Sequence, residues 1–359
     1  MKNKKIKILF LYTELAQYFL SCVNHLTNEH KNIEVHIIRW KINSEAPFNL
    51  KTGKNIFLHK RENFDEKKML AFSKNLGISI LICSGWIDKT YLKIAKYFFK
   101  KIPTVLMFDN KWKGNLKQYL ASFLSRFFLL KRFSNVWVVG ESQKIYAKKL
   151  GFSDENIGIG FYSADVDFFY KMFKKNELSK KKKFPKRFIF VGRYIESKGI
   201  FDLWKAFIEL QKEYPNDWEL WCLGEGEFFD KKIENKKIKH FGFVQKKDIH
   251  KFIEKTGVFI LPSHFEPWGV VVHEFVSAGF PLLCSEEVGA SSCFLENKKN
   301  GFYFPAKNIN EMKKSMKKII NLSEKEIFKM SEKSVFLSKK INHKKWSNQL
   351  LKFLKISIH

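Results

Sequence analysis

An α/β fold with two doubly wound halves is predicted by three observations. Short β-rich apolar runs alternate with helix-sized segments along the whole chain of 359 residues, the pattern of parallel sheets with crossover helices. A lysine-rich, apolar-poor stretch, "YKMFKKNELSKKKKFPK", divides the runs into two series. An apolar content of 45%, with 38 Phe, is enough to fill two cores. The organisation expected is a first domain over 1–169, a basic linker over 170–186, a second domain over 187–340 and a C-terminal helix over 341–359 that packs back on the first domain. Ligands of such sheets bind beyond the carboxyl ends of the strands, so a cleft faced by both sets of strand ends is where chemistry is expected.

In the first series "KIKILFLY", "IEVHIIRW", "ISILICSGW", "IPTVLMF" and "NVWVVG" read as strands. The opening "MKNKKIKILFLYTEL" has a basic head, but its apolar run meets Glu14 and no small-residue cleavage site follows. It reads as a first strand, not a signal peptide. No stretch approaches the ~18 continuous apolar residues of a membrane span, so membrane contact is expected to be peripheral. The segment 115–133 puts Leu116, Tyr119, Leu120, Phe123, Leu124, Phe127 and Phe128 on one helical stripe, with Lys117, Arg126, Lys131 and Arg132 elsewhere. Two readings stay open: a helix packed on the sheet, or one lying on an anionic membrane surface.

In the second series "RFIFVGRYIESKGIFDLWKAF" predicts a strand, a turn at Gly192 and a helix from about Gly199. Arg193 and Lys198 then lie between strand end and helix, where helix-start amides and cations suit a phosphate; solvated surface cations are the alternative. "WCLGEGE" is a strand followed by Gly224 and Gly226, which permit either close approach of a ligand or a plain tight turn. Phe243 and Val244 of "HFGFV" sit at a third strand end, against a nucleobase or in the core.

"FILPSHFEPWGVVVHEFVSAGFP" predicts a strand, a loop through Glu266, a helix starting at Pro267 and a stop at Gly279. Eight residues along such a helix advance ~12 Å and turn to within ~80°, so Glu266 and Glu274 can face one side. Glu274 is flanked by Val270, Val271, Val272, Phe275 and Val276. A carboxylate set among these requires a partner, and ligand hydroxyls would serve.

The 66 Lys and Arg against 36 Asp and Glu give a formal net charge of +30, which favours anionic partners without choosing among them. The charges are spread along the chain, not clustered with exposed aromatics, and nucleic acid is not expected as a partner. The five cysteines are odd in number and scattered, which reads as buried thiols in a reducing cytoplasm. The ten histidines are not spaced with acids or cysteines as metal ligands, so no metal is expected.

In order and spacing, "VGR", "KG", "LGEGE", "FGFV" and "LPSHFEPWGVVVHEFVSAGFPLLCSEEVGASSCFLENKKNGFYF" resemble the second domain of retaining glycosyltransferases of the family 4 type, over about 186–320. The resemblance implies the GT-B architecture, two Rossmann-like domains facing a cleft. It implies a nucleotide-sugar donor, no cofactor or metal, and a glycan or lipid-linked acceptor. Arg193 and Lys198, after Gly192, match the basic pair on the diphosphate, Glu274 the acid that holds the ribose, and Glu266 a contact near the transferred sugar. The amides of Trp268, Gly269 and Val270 would lie beside the sugar or phosphate, with Gly224, Gly226, Phe243 and Val244 completing the donor site. "FYSADVDFF" stands where the family usually has Asn-Gly-Val-Asp. "YTELAQYF" and "MFDNKWKG" depart from the family's glycine-rich loop and histidine, placing Thr13, Glu14, Asp109 and Asn110 on the acceptor side. The function implied is a cytoplasmic or peripheral-membrane transferase of surface polysaccharide or lipopolysaccharide synthesis. A nucleotide-sugar epimerase of the same fold is the first alternative, and a basic nucleic-acid-binding protein the second.

Overall fold

The structure is a computed structural model that describes residues 5–41 and 50–355. Among these, one compact unit runs through Ser163 and resumes at Ile341, and the other is Ala164–Lys340. In the first unit seven strands are β1 (Ile6–Tyr12), β2 (Ile33–Arg39), β3 (Ile56–Lys60), β4 (Ile80–Ser84), β5 (Thr104–Phe108), β6 (Asn135–Val138) and β7 (Ile157–Ile159). They pair in parallel in the order β3-β2-β1-β4-β5-β6-β7. The helices α1 (Gln17–Glu29), α2 (Glu66–Leu76), α3 (Lys89–Phe98), α4 (Leu116–Phe128) and α5 (Glu141–Lys149) connect them. Ile8 to Leu11 of β1 and Ile80 to Cys83 of β4 are fully buried, which is why these strands read as unbroken apolar runs. Local signals set the helix ends: the Asp65 carboxylate accepts from Lys68 N–H at the start of α2, and Gly77 closes it in the left-handed conformation.

The second unit opens with α6 (Val166–Lys182) and continues β8 (Arg187–Val191), α7 (Ile200–Glu213), β9 (Glu219–Leu223), β10 (Ile238–His240), α8 (His250–Ile253), β11 (Val258–Leu261), α9 (Val270–Ser277), β12 (Leu282–Ser285), α10 (Ser291–Phe294), β13 (Gly301–Phe304), α11 (Ile309–Ile320) and α12 (Glu324–Ser338). Its parallel sheet has the order β10-β9-β8-β11-β12-β13. Strand order therefore reverses between β8 and β11, and a crevice opens at such a switch point beyond the strand ends.

The expected linker 170–186 is a helix through Lys182. The Asp165 carboxylate caps α6 by accepting from Phe168 N–H, and Val166, Phe169, Phe173, Asn176 and Lys180 recur at helical spacing beneath the lysines. The Lys180 ammonium donates to Thr256 C=O at 2.8 Å and lies 4.2 Å from the Phe280 ring centroid, and burial lowers its pKa to about 7. Glu177 offsets the neighbouring charge by pairing with Lys174 and Lys181. Beyond the helix, Phe184 is buried against Trp218.

The final helix, α13 (His343–Phe353), packs on α1 in the first unit. Its Trp346 is buried, meets Phe19 edge-on at 5.7 Å and donates its indole N–H to Phe161 C=O at 2.8 Å.

Candidate functional site

Two loops meet at the switch point of the second sheet. After β8, Arg193 leads into the 3₁₀ turn Glu196–Lys198, and Gly199 at φ +66° turns the chain into α7. After β11, residues 262–269 run to α9. The carbonyl of Ser197 accepts from His264 N–H at 2.8 Å and from Phe265 N–H at 3.3 Å, which fastens the two loops together. The His264 ring meets Asp202 on α7 at 2.7 Å, a second tie between them.

These contacts place Lys198 against Glu266, and the ammonium donates to the carboxylate in a largely buried ion pair. Glu266 is held independently by its backbone, which bridges to Val288: its N–H donates to Glu287 C=O and its C=O accepts from Gly289 N–H. Arg193 and Lys198 thus lie on one connection, that between β8 and α7, with Lys198 beside the 262–269 loop.

The helix bearing Glu274 starts later than the sequence predicts. Pro267 lies in the loop, and α9 begins at Val270 with Gly269 as its N-cap at φ +87°. Glu266 and Glu274 therefore do not share a helix, and the single-helix geometry that would align them does not apply. The reason is the pinning of 266–268 to the 287–290 segment, where Ala290 N–H donates to Trp268 C=O at 2.7 Å. Trp268 and Val270 are buried, Trp268 against Phe294.

Glu274 sits one turn into α9 and is only partly exposed. Burial pushes its carboxyl up to about 7, with Lys246 opposing the shift and Asp165 adding to it. Lys246 and Asp165 pair at 2.8 Å. The neighbouring His273 fixes α9 in place: Nδ1 accepts from Ala164 N–H at 3.1 Å and Nε2 donates to Ser338 C=O at 2.9 Å, a neutral ring used at both nitrogens. Lys246 and Asp165 were missed in the sequence because they lie 28 and 109 positions from Glu274. Asp165 belongs to the "SADVD" stretch, where the family pattern had pointed only to a substitution.

Gly224 and Gly226 serve the turn itself. At φ +134° a Cβ on Gly224 would come within 1.9 Å of Gly192 C=O, and one on Gly226 would meet the Tyr194 backbone at 3.0 Å. Gly224→Ala is expected to destabilise the protein by about 2 kcal/mol or more, read as a lowered urea midpoint, because backbone must move; an unchanged midpoint would contradict that packing. Phe243 is half-buried and its N–H donates to Glu225 at 3.2 Å, while Val244 is half-buried beside it.

The first unit gathers a different set at its strand ends. Thr13 Oγ1 lies 3.1 Å from Ser84 Oγ at the end of β4, a partner the sequence had not indicated. Burial raises the Tyr12 and Tyr162 hydroxyls well above the ordinary range, with nearby Tyr18 and Asp109 adding to the shift. Asp109 is half-buried, whereas Glu14 and Asn110 are exposed. The five cysteines are free, and all but Cys293 are buried. Among the described residues no helix is long and apolar enough to cross a membrane.

Residues 168–334 match the family model described as glycosyl transferases group 1. The chain is 30% identical over 161 residues to an uncharacterized glycosyltransferase of Haemophilus influenzae, covering 42% of this chain and 43% of that one. It is 32% identical over 123 residues to the alpha-monoglucosyldiacylglycerol synthase of Acholeplasma laidlawii, covering 32% and 30%. These matches span less than half the length of the curated relatives. Among solved structures it is similar to a sucrose-phosphate synthase from Thermosynechococcus elongatus, with a TM-score of 0.72, 13% identity and 98% of each chain covered. It is also similar to Anabaena HepE, solved in complex with UDP, with a TM-score of 0.70, 13% identity and coverage of 98% of this chain and 100% of that one. At such identities the structural likeness shows the fold. The chain has the GT-B fold, and the stretch that matches the glycosyl transferases group 1 model lies within its second unit.

Proposed function

We propose that this protein transfers a sugar from a nucleotide-sugar donor to a hydroxyl of a glycan or lipid-linked acceptor, with retention of configuration. The observation that carries this reading is placement: Arg193, Lys198, Glu266 and Glu274 lie on the loops and helix that follow β8 and β11, at the point where strand order reverses. Anabaena HepE, a similar structure solved with UDP and with UDP and glucose, supports the donor class.

The donor's diphosphate would lie against Arg193 and Lys198, its ribose hydroxyls on Glu274 and its sugar near Glu266 and the Trp268–Val270 amides. Phe243 and Val244 would flank the base. As the bond from the sugar's anomeric carbon to phosphate breaks, negative charge grows on the leaving diphosphate. Two fixed cations are worth most at that moment, and in this reading they meet the charge without a resident metal. The acceptor oxygen attacks from the face the nucleotide leaves, and its proton passes to the departing phosphate oxygen, so no side chain is required as base. In the ligand-free protein Glu266 neutralises Lys198, and a bound diphosphate would compete for that ammonium.

Thr13, Glu14, Asp109 and Asn110 would contact the acceptor. The product class proposed is a surface polysaccharide or lipopolysaccharide-type glycan, made on the cytoplasmic side where free thiols persist. A thermal-shift screen against UDP, GDP, ADP, CMP and dTDP and their sugars tests the donor assignment. One nucleotide at about 100 times its Kd is expected to add roughly 2.7 kcal/mol of stability. No shift with any of them at millimolar concentration would remove the reading.

A further inference from the structure

The helix α4 is turned inside out. Its inward face is small and polar: Ser125 is buried and its hydroxyl donates to Leu150 C=O at 2.5 Å, and Ala121 and Ser122 are half-buried. At its start the Gln118 side chain accepts from Lys113 N–H at 2.6 Å and donates to Lys111 C=O at 2.8 Å. Its outward face is apolar: Leu116 is 86% exposed, Phe123 66% and Phe127 62%, with Tyr119, Leu120, Leu124 and Phe128 exposed beside them. Helices of soluble proteins bury the apolar stripe, because exposing it forfeits the free energy of removing that surface from water. A contiguous patch of this kind marks an interaction surface.

Charge selects the occupant. From Asn110 to Gly140 the sequence has no acid, whereas Lys111, Lys113, Lys117, Arg126, Lys131 and Arg132 bracket the patch. Arg132 lies 3.9 Å from the Phe128 ring centroid and Lys131 5.9 Å from that of Phe127, so cations border exposed aromatics here, a local cluster where the sequence had led to evenly spread charge. A second copy of this chain would match the apolar residues but set six cations against six. An anionic bilayer satisfies both: acyl chains take the Leu and Phe side chains, and headgroup phosphates take the Lys and Arg. We propose that the outward face of α4 is a docking surface for an anionic lipid bilayer, with Leu120, Phe123 and Phe127 inserted at the headgroup boundary. This goes beyond the transferase reading and does not depend on it, since no donor or acceptor takes part.

Flotation of the full-length protein with vesicles tests the proposal. Vesicles of phosphatidylcholine with about 30% phosphatidylglycerol are expected to carry the protein at low salt, and pure phosphatidylcholine to carry at least ~10-fold less. The combined variant Leu120→Ser, Phe123→Ser, Phe127→Ser is expected to lower anionic-vesicle partitioning at least ~20-fold, with its unfolding midpoint and nucleotide-induced thermal shift unchanged. A second variant, Lys117→Gln with Arg126→Gln, leaves the apolar residues in place and is expected to lower binding to anionic vesicles alone. Equal binding to neutral vesicles, undiminished binding of the triple variant, or no binding at low salt overturns the proposal. So does concentration-dependent self-association in light scattering that the triple variant abolishes, which would assign the face to a second copy of the chain.

Discussion

Replacement of Lys198 by Met is expected to lower kcat/KM for sugar transfer by about 100- to 1,000-fold, the range for removing one group that stabilises developing charge. The same substitution strips Glu266 of its partner. Both side chains are largely buried, and breaking such a pair costs about 3–5 kcal/mol because a desolvated charge is left behind. The unfolding temperature should therefore fall as well, which makes the single variant ambiguous. The double variant Lys198→Met, Glu266→Gln separates the two effects: it is expected to recover most of the stability and none of the activity. Recovery of transfer in the double variant would mean that Lys198 matters only as a counter-charge to Glu266, and the diphosphate assignment would fail.

Glu274→Ala is expected to lower kcat/KM by about 100-fold, since a carboxylate that accepts from two ribose hydroxyls contributes charge-assisted bonds. The pH dependence is the sharper test. Burial holds the Glu274 carboxyl at about 7 in the folded chain, above its ordinary 4.5. A carboxyl raised in this way stabilises the fold below about pH 4.5, and the contribution is lost as pH rises to about 7. Glu274→Gln should therefore match the parent below that window and exceed it in stability above pH 7, by roughly 1–3 kcal/mol after allowance for partial exposure. Donor binding has the opposite slope. It draws on the ionised form, present in roughly one chain in ten at pH 6, so Kd should tighten about tenfold from pH 6 to pH 8. Calorimetry that finds the same Kd at both pH values, or the same slope in Glu274→Gln, would place the ribose elsewhere.

The strands legible in the sequence are the buried ones together with one edge strand, β10, read from "HFGFV". The core strands β1, β2, β4, β5, β6, β8, β9, β11 and β12 read as apolar runs because both faces are covered. β3, β7 and β13 were not read as strands. Each lies at a sheet edge: β3 buries only Ile56 and β7 is a three-residue Ile-Gly-Ile. The α6 stripe was hidden by composition, since Lys180 occupies a half-buried position on the inward face and no hydropathy pattern counts lysine as core. The start of α9 was misplaced because Pro267 is a good first helical residue by local rules, whereas the tie of 266–268 to 287–290 is a contact over 20 positions.

By itself the sequence determined the alternation of strands and helices, and with it two parallel sheets. It also determined which residues stand at the ends of β8 and β11, because a strand end followed by a glycine turn at Gly192 or by Pro262 is a local event. Tertiary structure alone decided the partners. Lys198 and Glu266 are 68 positions apart, and Lys246, Asp165 and Glu274 come from three separate elements. It also decided which side of α4 faces the protein, since periodicity shows that seven apolar residues share a face but not whether anything covers it.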